Sequence, residues 1–522
     1  MVLTSFPGSV GHSAAGGGRE RTRAPAVQSG LGARRTRLSH DVGGVHGGLS
    51  GGVVALSEQT AEKRPPGPTN IPLLGRALEL DPKQPDRTFL RWQRQYGAIY
   101  SVKLGVDTVV VLSDAALIRE AFSKAASTGR PKGGLFEMLG VERGLILSTG
   151  ELWHVTRRFA LFHLRNFGMG KARLEEVIRE QVDDFLAQVV APNEGCPLDI
   201  DKSLDIAVVN IVWGIAASET LGITDERVLN IMNKGKELTE KTKRFNWFAF
   251  LPVLFKILPK SLTQVDVVLE LFGYARKHLI MPVIEEHRRR FDPTAEPRDF
   301  IDCFLLEQRK DPHHFTDEGL VQTIRDMFNA GSDTTATTLR WIFCCLCARP
   351  AAQRRVQAEI DAVVGGSRPP SLADRQRMPF TDAFIMETQR LADIAPMGVM
   401  HVAEAAFELG GYTVPRGAAI AALFPAVHKD PRNFPDPWTF RPERFLDADG
   451  KLQPSKALMP FSVGKRSCLG EAMARSELFL FTTVALQRYN FALPAGCEHD
   501  LSRADAGGLA SPVPYKVVAT RR

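Results

Sequence analysis

The stretch FSVGKRSCLG, from Phe461 to Gly470, carries the sequence feature that decides the fold. Gly464 permits a tight turn, and Gly470 permits the close approach of a helix that we predict to begin near Cys468. The positive end of that helix would lie at the sulfur, and Arg466 adds a cation. Such surroundings favour a thiolate, and Phe461 is placed to shield it from water. The segment therefore predicts that Cys468 is a thiolate ligand, and a flat heme group suits the turn.

The same segment resembles the heme-binding loop of the cytochrome P-450 family. That pattern is Phe, two residues, Gly, one residue, Arg, one residue, Cys, one residue and Gly, and Phe461, Gly464, Arg466, Cys468 and Gly470 occupy every fixed position. An inert, buried thiol is the better interpretation of a lone cysteine, but the spacing here outweighs it. The resemblance implies heme b (iron protoporphyrin IX) as cofactor, with Cys468 as the metal ligand and Phe461, Gly464 and Arg466 as cofactor-binding residues.

Composition excludes several other classes of protein. The 522 residues are 44% hydrophobic, which is enough for a large core. The net charge of +7 arises from 66 basic and 59 acidic residues spread along the chain, so nucleic-acid binding is not indicated. The seven cysteines are irregularly spaced and predict no disulfide framework. Cys344, Cys345 and Cys347 lie in the apolar run WIFCCLC, where they point in different directions on a helix, so we interpret them as core residues.

The first 62 residues differ in composition from the rest of the chain. They are rich in Gly, Ser and Arg and lack periodicity, so we predict a disordered segment followed by a heme-thiolate domain over residues 63–522. No apolar stretch there approaches the about 20 residues of a transmembrane helix. Arginines at positions 19, 21, 23, 34, 35 and 37 are typical of a mitochondrial transit peptide, whereas the glycines oppose the amphipathic helix of such a peptide. A transit peptide, a true N-terminus and an alternative start all remain open.

Most of the domain has a helical pattern. We predict helices from Glu151, over residues 171–190 and 201–219, and from about Thr316 to Cys347. Hairpins are predicted from Ile99 and over Phe407–Ile420. The predicted fold class is mainly α with small β-sheets (α+β). The resemblance further implies a cytochrome P-450 fold, with heme between the long central helix and the helix that follows the cysteine loop.

The segment AGSDTT, from Ala330 to Thr335, places an acid and an alcohol inside the longest predicted helix. A threonine in a helix bonds back to a carbonyl one turn earlier, and the glycine favours a kink or a bound small ligand. The segment resembles the oxygen-binding motif of the same family. The resemblance implies that Asp333 and Thr334 are catalytic residues that deliver protons to bound dioxygen, although a solvated face is the commoner role of such a pair.

Two further motifs resemble structural and cofactor-binding elements of the family. Glu387 and Arg390 share a helix face. By resemblance, this pair and Arg444 of FRPERF form a buried ion network with a structural role. Heme propionates require cations and hydrogen-bond donors. Trp153, Arg157, His401 and Arg466 are the candidates by resemblance, and His401 matches the family pattern least well.

The substrate contacts implied by the resemblance are mostly apolar. They lie in the loop Phe136–Leu147, at Phe328 and Ala330, over Ile394–Val399 and in the turn Leu509–Pro512. An apolar cavity implies a lipophilic substrate. The run from Asn246 to Pro259 suits either a membrane surface or a core segment, and both interpretations stand.

The resemblance implies a monooxygenase that inserts one atom of O2 into a xenobiotic, steroid or fatty-acid-like molecule. NADPH-cytochrome P-450 reductase is the implied electron donor, because no flavin or nicotinamide fingerprint accompanies the domain. A mitochondrial ferredoxin is the alternative donor. The implied location is the cytosolic face of the endoplasmic reticulum membrane, and the mitochondrion is the alternative. Two other functions are weighed against this one: a heme-thiolate peroxide isomerase and a non-catalytic heme or small-molecule binding protein.

Overall fold

The computed structural model describes residues 63–81, 83–132, 141–166, 172–222, 225–231, 233–234, 265–504 and 509–522. The α-helices that bear on the site are α1 (Pro85–Tyr96), α2 (Ala115–Ser123), α3 (Gly150–Asn166), α4 (Ala172–Phe185), α5 (Asp201–Ala217), α6 (Val265–Ala275), α7 (Met281–Arg290), α8 (Phe300–Lys310), α9 (Asp317–Ala348), α10 (Pro350–Val363), α11 (Pro379–Ala392), α12 (Phe424–His428) and α13 (Glu471–Arg488). The predicted mainly α fold with small sheets is therefore confirmed.

Helix α9 spans the domain and organises the site. It contains 32 residues and is therefore roughly 48 Å long. Thr316 caps its first turn by accepting a hydrogen bond from the Gly319 N–H at 3.1 Å, and Pro350 follows its end. Helix α5 packs along it, and an added Cβ on Gly331 would lie 2.6 Å from Cγ2 of Val212. Gly331 thus serves the close approach of two helices, and the helix assignment is continuous across the predicted AGSDTT segment.

Small sheets flank the helices. Strands β1 (Ile99–Leu104) and β2 (Asp107–Leu112) form the first predicted hairpin, with Ile99 opposite Leu112. This hairpin extends into a four-stranded sheet through β7 (Ala419–Ala422) and β4 (His401–Val402), in the order β1-β2-β7-β4. The second predicted hairpin is confirmed as β5 (Phe407–Leu409) and β6 (Tyr412–Val414), while β3 (Pro197–Leu198), β8 (Tyr489–Ala492) and β9 (Val517–Arg521) form a third sheet.

The predicted helices agree with the structure to within a few residues. Helix α3 begins at Gly150, and α4 continues into a wider π-helical turn over Leu186–Val190. Cys344, Cys345 and Cys347 are buried in the core, and burial raises the pKa of all three thiols. Phe136, the run Asn246–Pro259 and residues 1–62 lie outside the described residues, so the predictions made for them stay predictions.

A buried acid and histidine group lies between α7 and α8, away from the cysteine loop in sequence. His287 bonds to Asp299 through Nε2 at 2.8 Å and to the Val283 carbonyl through Nδ1 at 2.7 Å. Asp299 also caps α8, and Arg298 bonds both oxygens of Asp302. These partners occupy the nitrogen and oxygen atoms that could otherwise bind a metal ion. The group is therefore a helix-capping network.

Candidate functional site

The cysteine loop is held by backbone contacts that only its glycine permits. Gly464 has φ +79°, and an added Cβ would lie 2.1 Å from the Phe122 carbonyl oxygen. The next residue, Lys465, donates its N–H to that same oxygen at 3.1 Å. Cys468 donates its own N–H to the Phe461 carbonyl at 2.9 Å, which closes the loop. The loop therefore presents the sulfur from a fixed backbone.

The Cys468 thiol is accessible although much protein surrounds it. The residue is exposed, yet burial of the sulfur raises the pKa of the thiol. The Gly470 N–H and the charge of Arg157 act in the opposite direction. Helix α13 begins at Glu471, three residues later than the predicted start, so Gly470 at its N-terminus provides the nearby N–H group. An accessible sulfur beside cationic and N–H groups is what a ligand to a bound metal requires.

Cations and donors converge beside this loop. Arg466, which is buried, donates to the carbonyls of Thr128 at 2.9 Å and Ser148 at 2.5 Å, and its Cζ lies 3.9 Å from the Trp153 ring centroid. Arg157 of α3 donates at 2.7 Å to the carbonyl of Ser467, which is a residue of the loop itself. The structure thus brings together three of the four predicted propionate ligands.

Arg130 joins this group, although the sequence analysis did not select it. It is buried, and it donates to the carbonyls of Ile146, Val399 and Met400 at 3.1, 2.8 and 2.8 Å. Burial and the charge of Arg157 lower its pKa to about 9. The only sequence signal was an arginine in STGRPK, which matches no charged motif.

The positive charges of Arg130, Arg157 and Arg466 favour binding of an anion at this cluster. Burial and the charges of Arg130 and Arg157 lower the pKa of Arg466 to about 8, so its positive charge is poorly compensated. Two buried donors, Trp153 Nε1 and Arg466 Nη1, have no hydrogen-bond partner among the described residues. A group with two carboxylates would neutralise the cations and accept from both donors. The residues present therefore fit the propionate edge of heme.

His401 lies in the same region but is turned toward the backbone. It is buried on β4, its ring stacks on Phe122 with centroids 3.8 Å apart, and its Nδ1 lies 2.8 Å from the Ser127 carbonyl. Burial and the charge of Arg130 lower its pKa well below the ordinary value. A neutral ring with its proton on Nδ1 contributes no charge, so His401 is the weakest of the predicted ligands.

Asp333 and Thr334 are half-buried on α9. Thr334 Oγ1 donates to the Ala330 carbonyl at 2.7 Å, which is the back-bond that the sequence predicts. Ser332 and Thr338 make the same kind of bond to Phe328 and Thr334. Thr334 and Thr338 therefore place two hydroxyl groups one turn apart on the same face of the helix, and each can release its carbonyl to bind a water or ligand.

A buried carboxylate on α9 holds the loop on the substrate side. Asp326 Oδ2 accepts from the N–H groups of Leu145 and Ile146 at 2.7 and 3.0 Å, and Gln322 donates to Oδ1 at 2.5 Å. An added Cβ on Gly144 would lie 2.2 Å from Asp326 Oδ2. Burial raises the pKa of Asp326 to about 6 against the effect of these donors. Sequence analysis missed Asp326, because an aspartate one helical turn before a motif has no signature of its own.

The described parts of the predicted substrate segments meet around α9. The Ala510 carbonyl accepts from Trp341 Nε1 of α9 at 2.7 Å, and the Ala510 N–H donates to the Ile394 carbonyl at 2.8 Å. These bonds bring the turn near residue 510 and the stretch from residue 394 to the same helix. Leu147 and Phe328 are buried and apolar. The residues to which the resemblance assigns substrate contact are therefore apolar at Leu147 and Phe328, and Phe328 lies on the same helix as Asp333 and Thr334.

The predicted ion network is fully formed behind the cysteine segment. Glu387 and Arg390 are completely buried and bonded through two contacts of 2.7 and 2.8 Å. Arg444 Nε lies 3.1 Å from the Glu387 carboxylate, and the Arg441 N–H donates to it at 2.8 Å. The remaining donors of Arg390 and Arg444 reach backbone carbonyls, so the network is almost completely satisfied.

A basic groove opens on the outer side of α3, next to the cysteine loop. Its volume is about 560 Å³, and no acidic residue lines it among those described: the lining consists of Trp153, His154, Arg157, Arg158, Leu161, Phe162, Arg165, Asn166 and Lys465. Phe162 is 60% exposed in the middle of these cations. An apolar centre with a cationic rim suits a partner of opposite charge.

Comparisons with known proteins agree with this geometry. The sequence model of the family described as Cytochrome P450 matches residues 65–519. Cytochrome P450 2B2 of Rattus norvegicus is 38% identical over 468 residues, which are 88% of this chain and 94% of that protein. Cytochrome P450 2J3 of the same organism is 36% identical, over 90% of this chain and 93% of that protein. Cytochrome P450 2D4, also of Rattus norvegicus, is 35% identical, over 89% and 94% of the two chains.

Proposed function

Because this chain belongs to the cytochrome P450 family, we propose that Cys468 ligates the iron of its heme b and that Trp153, Arg157 and Arg466 hold the propionates together with Arg130. The chain is a heme-dependent monooxygenase. The observation that carries the assignment of residues is the group of poorly compensated guanidinium groups and unpaired donors beside an accessible cysteine.

The roles of the protein groups follow from their positions. Heme, when bound, activates dioxygen and supplies the oxidising power. Cys468 would hold the iron through its thiolate, which would donate electron density to the metal. Thr334 Oγ1 and the Asp333 carboxylate hold and pass protons at the wall of the cavity. The buried network of Glu387, Arg390 and Arg444 keeps the backbone behind the cysteine loop in place and takes no part in proton transfer.

The substrate is a lipophilic small molecule, of xenobiotic, steroid or fatty-acid-like type. The described residues that the resemblance places against the substrate, such as Leu147 and Phe328, are buried and apolar, so burial of apolar surface would provide the binding free energy. Asp326 fixes the loop over residues 145–146 and so sets the shape of the cavity on that side.

Replacement of Thr334 by alanine tests the monooxygenase mechanism. Loss of one positioned proton donor is expected to reduce product formation about 100-fold or more, while NADPH consumption continues with release of peroxide. The amounts of product and of peroxide formed per NADPH are measured with the protein reconstituted with its reductase. In the same system under isotope-labelled dioxygen, the wild type must place one labelled oxygen atom in the product.

Thr338→Ala is the matched control, because Thr338 makes the same back-bond one turn later on α9. A peroxide isomerase would turn over peroxide substrates without dioxygen, and its activity would survive Thr334→Ala. A non-catalytic heme-binding protein would form no product with any substrate. Either result would contradict the proposed function.

The electron donor is a flavoprotein reductase that uses NADPH and docks with an acidic surface in the basic groove. The groove lies against Cys468 through Arg157 and Lys465, and its exposed cations, Arg158 and Arg165, can steer such a partner. A ferredoxin is also acidic in character, so the two donors are distinguished by reconstitution with each purified protein.

Charge reversal in the basic groove is expected to weaken docking. The double variant Arg158→Glu and Arg165→Glu should slow reduction by the reductase about tenfold or more at low salt, and the difference should shrink as salt increases. Reduction by dithionite should be unchanged. Arg354→Glu, an exposed arginine of α10 outside the groove, should behave like wild type. Equal rates in all three proteins would contradict this docking site.

The domain contacts a membrane surface through an apolar patch, consistent with location at the endoplasmic reticulum. None of the described helices combines the length and apolar composition needed to cross a bilayer. Ile71, Leu73, Leu78 and Val106 are 48, 81, 54 and 57% exposed. Backbone contacts between Gly75 and Leu104, and between Gly105 and Leu74, bring these side chains to the tip of the β1–β2 hairpin.

Polar replacement of two leucines tests this membrane contact. Because each leucine buries apolar surface in the bilayer interface, Leu73→Ser with Leu78→Ser should reduce binding to phosphatidylcholine vesicles about tenfold or more. Flotation of the full chain with vesicles measures the bound fraction. Phe162→Ser, at an exposed apolar residue of the basic groove, should leave vesicle binding unchanged. If the double variant binds like wild type, this patch is not the membrane contact.

A further inference from the structure

His428 connects the buried ion network of Glu387, Arg390 and Arg444 with the segment that precedes the cysteine loop. It lies at the end of α12 and is buried, with 1% exposure. Its carbonyl accepts from Arg390 Nη1 at 2.8 Å, its Nδ1 bonds to Asp393, and its Nε2 lies 2.9 Å from the Met459 backbone nitrogen. One residue, through its backbone carbonyl and its imidazole ring, therefore links the buried ion network to the segment that precedes the cysteine loop.

These bonds determine which ring nitrogen of His428 carries the proton. The Met459 N–H is a donor, so Nε2 must accept and cannot be protonated. The proton then lies on Nδ1 and is donated to the Asp393 carboxylate. The neutral Nδ1–H tautomer is the only form of the imidazole that satisfies both contacts.

Lys429 provides the charge that allows this tautomer. Its Nζ contacts the other oxygen of Asp393 and donates to the carbonyls of Arg390 and Leu391 at 2.8 and 3.0 Å. Burial would raise the pKa of Asp393, but Lys429 and His428 together lower it, so the carboxylate stays ionised. Because Asp393 is balanced by an ammonium group, His428 does not have to carry a positive charge.

Met459 passes the restraint to the cysteine loop. It is buried, and its carbonyl accepts from the Ser462 N–H at 3.1 Å, where Ser462 has φ +59°. The intervening Phe461 accepts from the Cys468 N–H at 2.9 Å. A shift of Met459 would therefore move the turn whose carbonyl orients the cysteine backbone.

We propose that His428 is a positioning residue for Cys468. By accepting from the Met459 N–H, it fixes the turn that sets the position and orientation of the Cys468 thiolate. This inference rests on the proposed ligation of iron by Cys468. Glu387, Arg390 and Arg444 then support the cysteine indirectly, through the His428 carbonyl, in addition to their own packing.

Two substitutions at His428 separate this role from general stability. In His428→Gln the side-chain oxygen can take the place of Nε2 and accept from Met459. In His428→Asn the shorter amide can replace Nδ1 toward Asp393 but leaves the Met459 N–H without an acceptor. Both remove the ring, so a merely structural role predicts similar damage from the two changes.

The measurement is the rate at which the reduced holoprotein loses the red-shifted carbon monoxide band of thiolate ligation at a fixed temperature. We expect loss about tenfold faster in His428→Asn than in His428→Gln, which is the effect of one buried donor left unpaired. Backbone amide exchange over residues 459–462, measured on the same proteins, should be faster only in the asparagine variant.

Equal rates in the two variants, or the reverse order, would overturn the inference. If His428→Asn does not fold, His428→Gln alone decides, because rapid loss of its band with the Met459 acceptor retained contradicts the proposal. A wild-type protein that shows no thiolate band would instead contradict the assignment of Cys468, so the two failures are distinguishable.

Discussion

Cys468→Ser is expected to abolish monooxygenation and to remove the red-shifted carbon monoxide band of the reduced protein. The hydroxyl of serine is a far weaker acid than a thiol and donates less electron density, so it cannot replace the thiolate at the iron. Heme can still bind, because Trp153, Arg130 and Arg466 remain available for its propionates. The difference spectrum with carbon monoxide, recorded on dithionite-reduced protein, measures the ligand directly.

The control for this change is another accessible cysteine. Cys497 is exposed and lies outside the loop, so Cys497→Ser should keep both the band and the activity. If well-folded, heme-loaded Cys468→Ser retains the thiolate band, another residue ligates the iron and the proposed site is wrong.

Glu387→Gln is expected to prevent accumulation of folded holoprotein. The change keeps the shape of the side chain but removes the carboxylate that directly pairs with both Arg390 and Arg444. A buried charge that loses its partner costs about 3–5 kcal/mol, which is a large part of the stability of a typical domain. Heme bound per polypeptide and the thermal unfolding midpoint measure the loss.

Glu443→Gln is the matched control. Glu443 forms an ion pair with Arg355, but both side chains are about half exposed. Such pairs contribute about 0–1 kcal/mol, so this variant should be close to wild type. Comparable stability of the two variants would show that the buried network does not support the fold in the way its burial indicates.

Contiguous motifs were the predictable part of this protein. The spacing from Phe461 to Gly470 indicated a turn at Gly464, a thiolate shielded by Phe461 and a helix start near Cys468. The structure has the turn at Gly464, and the helix begins three residues later, at Glu471. The back-bond of Thr334 was predictable for the same reason, since its partner, Ala330, is one turn earlier on the same helix. Local backbone geometry fixes such contacts, so the sequence is sufficient to place them.

The sequence by itself determined the fold class and the family, and it supplied the proposed catalytic and heme-binding residues, because these depend on residues close together along the chain. The tertiary structure alone decided that Arg130 joins Arg466, that Asp326 holds the loop at Leu145, and that His428 reaches Met459. An arginine, an aspartate and a histidine have no distinctive spacing at these positions. Their roles arise only when packing buries them and forces each polar atom to find a partner far along the chain.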